Sequence, residues 1–132
     1  MNKDLQIAKK TIQTEIQALK KLSASFVHSS QFSKAVSLLS KMKGKCLVVG
    51  VGKSYLVGLK ISATLSSLGT PSVAFSANDL QHGGLGAIQK NQDILLVFSV
   101  SGESSELNSI IRYANRNKIS LIGVSCKSSS ML

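Results

Sequence analysis

The sequence contains no tryptophan, a single proline at Pro71, two cysteines and only six acidic residues among 132. Each scarcity removes a class of explanation. Cys46 and Cys126 lie in or beside apolar runs without a paired-ligand spacing, which argues against a disulfide framework and a zinc site and predicts buried, reduced thiols. Aromatic residues amount to 5%, and no strand-like run is studded with them, so the base-stacking surface of an RNA-binding sheet is missing. The longest wholly apolar run, Ile94 to Phe98, is far short of the ~20 residues that cross a bilayer. The opening Met1-Asn2-Lys3-Asp4-Leu5 has no apolar signal core. A soluble, cytoplasmic protein with no membrane partner is expected.

What is present suits one folded unit. Hydrophobic residues make up 43% and charged residues 17%, enough apolar surface to offset chain entropy and too little charge for a disordered chain. The net charge of +10 is uneven, because residues 1 to 60 hold eleven lysines against Asp4 and Glu15, whereas residues 61 to 132 are close to balanced. Most of those lysines fall on the polar side of helical patterns and read as solvated faces. A nucleic-acid partner is therefore not expected.

Leu5, Ala8, Ile12, Ile16, Leu19, Leu22 and Phe26 recur at steps of three and four and predict one amphipathic helix of roughly 20 residues. After His28-Ser29-Ser30, where a serine could cap, Phe32, Val36, Leu39 and Met42 repeat the period and stop before Gly44, predicting a second helix. The pattern then changes to short, mostly apolar runs: Cys46 to Val49, Val73 to Phe75, Ile94 to Phe98 and Ile119 to Val124. These predict strands buried on both faces. Helices are expected between them over 53–68, around 79–85 and over 103–115. Alternating strands and helices predict right-handed crossovers and an α/β three-layer sandwich, a parallel sheet with helices on both faces, preceded by two helices. Residues 1–44 are expected to belong to the same domain as the 45–132 core. Ser125 to Leu132 reads as a loop and the start of an unfinished helix, so a core truncated at its C-terminus is expected.

In an open parallel sheet ligands bind beyond the carboxyl ends of the strands, which gives weight to three loops. Gly50-Val51-Gly52-Lys53-Ser54 follows the first strand and opens a helix, an arrangement suited to an anion. Its spacing rejects two nucleotide motifs: Leu47 stands where the nucleoside-triphosphate loop needs glycine, and Tyr55 where the dinucleotide fingerprint needs glycine or alanine. Ser99-Val100-Ser101-Gly102-Glu103-Ser104-Ser105-Glu106 follows the third strand, with hydroxyls that could bind phosphate. Ser101 is also a candidate helix N-cap, and the two readings are compatible. The G-x-S-x-G spacing of an esterase is absent around Ser101. His82, in Asn78 to Gly86, is the one histidine beside a glycine-rich loop, whereas His28 between two helices reads as structural.

These loops, together with Gly69-Thr70-Pro71-Ser72, resemble the sugar isomerase (SIS) domain from about Lys45 onward. The serine loop fits the superfamily signature S-x-S-G-E-[ST], and His82-Gly83-Gly84-Leu85-Gly86 resembles the arabinose 5-phosphate isomerase branch. The resemblance implies a flavodoxin-like five-stranded sheet, a homo-oligomer that is usually a tetramer, and interconversion of D-ribulose 5-phosphate with D-arabinose 5-phosphate. Neither a redox cofactor nor a metal is implied. Moving a carbonyl between C1 and C2 asks for a carbon base, an acid for the oxygens and a cation. Glu103, His82 and Lys53 supply those types and match residues of the family's catalytic set. Gly52, Ser54, Ser99, Ser101, Gly102 and Ser104 match its phosphate and sugar ligands.

The departures bear on activity. Relatives commonly have glycine after the Lys-Ser pair and aspartate after the His-Gly pair, where this chain has Tyr55 and Gly84. The family's fifth strand, a second histidine and the paired nucleotide-sensing CBS modules all correspond to positions outside these 132 residues. Three other readings stay open: a non-catalytic sugar-phosphate-binding module, another isomerase such as a 6-phospho-3-hexuloisomerase, and a structural or nucleic-acid role for the basic helical half.

Overall fold

A computed structural model describes residues 2–26 and 30–132, so His28 and the capping site before the second helix lie outside the described residues. The chain divides into two compact units, Met1–Val36 and Ser37–Leu132. In the first, α1 spans Lys3–Ser25, and Asn2 caps it by accepting from the Asp4 N–H at 3.0 Å. Its apolar stripe is exposed along its length, from Leu5 at 62% to Phe26 at 44%. The Phe26 and Phe32 rings meet edge to face with centroids 4.8 Å apart. Helix α2, Ser30–Lys41, runs across the boundary between the units.

The second unit holds the sheet. β1 (Cys46–Gly50), α3 (Lys53–Ser67), β2 (Ser72–Ser76), α4 (Ala77–Gln81), β3 (Ile94–Ser99), α5 (Asn108–Asn117) and β4 (Ser120–Ser125) follow in order. All strand pairs are parallel, in the order β2-β1-β3-β4. Alternate side chains of the central strands point to opposite layers. Leu47, Val49, Leu95 and Val97 meet Leu80 of α4 and Ile110 and Ala114 of α5 on one face. Cys46, Val48 and Leu96 meet Ile61 and Leu65 of α3 on the other, with Leu39 and Met42. The three-layer α/β architecture thus follows the sequence expectation.

Three expectations are corrected. Only β1 and β3 are buried on both faces; β2 and β4 are partly exposed because each lies at an edge of the sheet. The sequence predicts two buried thiols, and Cys46 is one, but Cys126, which follows the edge strand β4, is exposed. The helix expected from Glu103 begins at Asn108, after a single 3-10 turn at Ser105–Leu107. Gly102 has φ of +68°, a conformation no right-handed helix contains, so Ser101 does not cap one. Instead its Oγ accepts from the Glu103 N–H two residues on, at 3.2 Å, closing a local turn.

Candidate functional site

The strand order decides which loops meet. The chain leaves β1 toward β2 on one side, whereas β3 leads to β4 on the other, so the topological switch lies between β1 and β3. Gly50 pairs with Phe98, which places 51–54 and 100–104 side by side beyond the carboxyl ends. The glycine loop and the serine loop are therefore the two walls of the crevice.

The first wall is shaped by absent side chains. A Cβ at Gly50 would lie 2.6 Å from backbone atoms of Ser54 and Tyr55, so only glycine lets the first turn of α3 rest this close to the strand. Gly52, with φ of +55°, then reverses the chain into α3, and an added Cβ there would meet open space. Lys53 is exposed and Ser54 half-buried at the start of a 15-residue helix, whose positive end faces the crevice.

The second wall is held by hydroxyls. Ser99 is 5% exposed; its Oγ accepts from the Gly102 N–H at 3.0 Å and lies 3.2 Å from Ser104 Oγ. Ser99 thus folds the loop from beneath. Ser101 and Ser104 are half-buried above it, and Glu103 is exposed. Glu103 Oε1 accepts from the Met131 N–H at 3.1 Å.

His82 comes from the far side of β1. Ser76 at the end of β2 caps α4 by accepting from the Asp79 N–H at 3.2 Å, and His82 ends that helix as an exposed residue. The neighbouring Gln81 donates from Nε2 to the Glu106 carbonyl, which ties this segment to the turn following the serine loop. Lys53 and Glu103 thus lie on the two facing loops, while His82 belongs to a third segment fastened to the second wall.

Sequence reasoning missed a fourth segment. Ser125 pairs with Ser99 in register, so the residues after β4 also emerge at the carboxyl end. The parallel pattern was the available signal, since any strand of such a sheet delivers its following loop to the same end. A separate groove of about 510 Å³, lined by Gln81, Ser105, Asn108, Arg112, Tyr113 and Arg116 among others, contains none of the expected site residues. No described helix is long and apolar enough to cross a membrane.

The SIS domain family profile matches residues 38–132, which takes in the whole sheet and every wall of the crevice. The chain belongs to the SIS domain family. It is 38% identical over 127 residues to an arabinose 5-phosphate isomerase of Yersinia pestis, covering 96% of this chain and 38% of that protein. It is 40% identical over 117 residues to one of Pseudomonas aeruginosa, covering 89% and 35% respectively. An Escherichia coli CFT073 protein solved in complex with arabinose 5-phosphate superposes with a TM-score of 0.87 at 29% identity, covering all of this chain and 70% of that one. The chain spans less than two fifths of the length of the curated isomerases it matches.

Proposed function

We propose that this SIS domain is the sugar-phosphate site of an aldose-ketose isomerase that interconverts D-ribulose 5-phosphate and D-arabinose 5-phosphate through an enediol. The observation that carries the reading is the meeting of the glycine and serine loops across the switch point, with Lys53 on one and Glu103 on the other. The Yersinia and Pseudomonas relatives, named as arabinose 5-phosphate isomerases, support this choice of substrate. Gly52, Ser54, Ser99, Ser101, Gly102 and Ser104 take the phosphate and sugar oxygens, Ser99 acting through the loop it folds. Four or so hydroxyls and N–H groups beside a helix N-terminus suit a dianion.

In the ketose-to-aldose direction Glu103 removes a proton from C1 while the C2 oxygen gains one, giving the enediol. The O1 proton is then lost and the carbon proton is returned to C2, leaving the carbonyl at C1. His82 carries the oxygen-bound protons, and Lys53 offsets the charge that develops on oxygen. Electrons are only redistributed within the sugar.

NMR of the chain with D-ribulose 5-phosphate in D2O tests the reading. Aldose formation with deuterium at carbon is expected. Glu103→Gln should lower turnover by about 10²- to 10⁴-fold while phosphate affinity persists. Full turnover in that variant refutes the assignment of the base. A second reading, a sugar-phosphate sensor, is favoured by Tyr55 and Gly84, which depart from the residues common in the isomerase branch and matter less to binding than to turnover. Saturation transfer to the sugar phosphate without exchange at carbon would select the sensor.

A further inference from the structure

The segment after β4 is fastened along the serine loop. The Cys126 N–H donates to the Val100 carbonyl at 3.1 Å, and the Leu132 N–H to the Gly102 carbonyl at 3.3 Å. Between them the Met131 N–H reaches Glu103 Oε1 at 3.1 Å. The segment also closes on itself. Ser125 Oγ accepts from the Lys127 N–H at 3.1 Å, and Ser130 Oγ donates to the Lys127 carbonyl at 3.2 Å. Ser130 packs directly over Gly102, where a Cβ would overlap its side chain.

We infer that residues 126–131 form a strap whose Met131 N–H positions the Glu103 carboxylate over the crevice. The inference rests on the proposed isomerase reading for its catalytic consequence. An exposed glutamate side chain has three free torsions, and an isolated carboxylate samples many orientations. A fixed N–H on Oε1 narrows that set and leaves Oε2 to exchange protons with carbon. Met131 is thus a positioning residue through its backbone. Ser130 is one through its packing, because it holds the strap against the only residue type that accepts its approach at a positive φ.

The test compares Met131→Pro, which removes the donor, with Met131→Leu, which keeps it. With D-ribulose 5-phosphate, Met131→Pro should lower kcat by on the order of tenfold to a hundredfold and change KM by less than about threefold, whereas Met131→Leu restores turnover. Equal, measurable kcat in the two variants overturns the inference. Full turnover in Glu103→Gln overturns the isomerase mechanism instead. A readout free of turnover covers a folding defect or an inactive chain: the Met131 amide resonance in 15N-labelled protein. It should move upfield in Glu103→Ala as its acceptor is removed. An unmoved Met131 amide overturns the strap contact whatever the activity.

Discussion

Asp93 is the buried acid on which the amino end of the sheet depends, and its removal has a calculable cost. Its side chain is fully buried, and it accepts from the Lys45 N–H at 2.8 Å, the Gln89 N–H at 2.8 Å and Lys45 Nζ at 2.7 Å. Asp93→Ala would take the acceptor from two part-buried backbone donors, the Lys45 and Gln89 N–H groups. A hydrogen bond to a charged group is worth about 1.5–3 kcal/mol when the donor is left dry, and water reaching these part-buried donors recovers part of that, so the loss is about 1–3 kcal/mol against the ~5–15 kcal/mol that holds a domain. Lys45 Nζ is left out of this figure, because its side chain is 32% exposed and regains water. Asp93→Asn keeps one acceptor oxygen and should lose about half as much.

The acid dependence has a definite sign. Burial pushes the Asp93 carboxyl up, but the hydrogen bonds from Lys45 and Gln89 and the Lys45 charge outweigh it and hold the group below its ordinary value. A depressed folded value means the stabilisation is complete above the unfolded value of about 3.9 and is lost as the pH falls through the folded one. Urea unfolding followed by circular dichroism, from about pH 7 down to 3, reads both effects. Asp93→Asn should flatten the acid limb. If Asp93→Ala stays within about 0.5 kcal/mol of the parent, the count of donors that lose their acceptor is wrong.

Two further outcomes follow from packing. Gly50→Ala would force a methyl to 2.6 Å from the backbone of Ser54 and Tyr55, displacing the turn that carries Lys53 and Ser54. Stability should drop by about 1–3 kcal/mol, and affinity for a sugar phosphate by about tenfold in a calorimetric titration. Unchanged affinity would remove the glycine loop from the site. Thiol titration with a disulfide reagent should find one reactive cysteine in the native chain and two after denaturation. Burial pushes the Cys46 thiol up to about 11 against a weaker opposing hydrogen bond from Ser72, whereas Cys126 is exposed. Comparable native rates at both cysteines would contradict the burial of β1.

The identity and order of the elements were set locally and were legible from the chain. Cys46 to Val49 and Ile94 to Phe98 are too short and too uniformly apolar for surface helices, and the three- and four-residue spacing of the α1 stripe belongs to no strand. The glycine and serine loops were legible for the same reason, since each is a strand end, a turn and a helix start read in sequence. The boundaries near the site were less so. Gly102 takes a left-handed conformation that delays the helix to Asn108, because Ser99 beneath it and Ser130 above it fix the turn.

Sequence by itself therefore determined an alternating α/β chain with anion-suited loops and a family signature. Tertiary structure alone decided that β1 and β3 are neighbours, which brings Lys53 and Glu103 to facing walls, and that β2 and β4 are edges. It also decided that Gln81 fastens the His82 segment to Glu106 and that Met131 meets Glu103 across 28 residues of chain. The physical reason is range. Propensity and periodicity act over one or two turns of chain, whereas strand pairing and strap contacts are chosen by the shared burial of segments far apart in sequence.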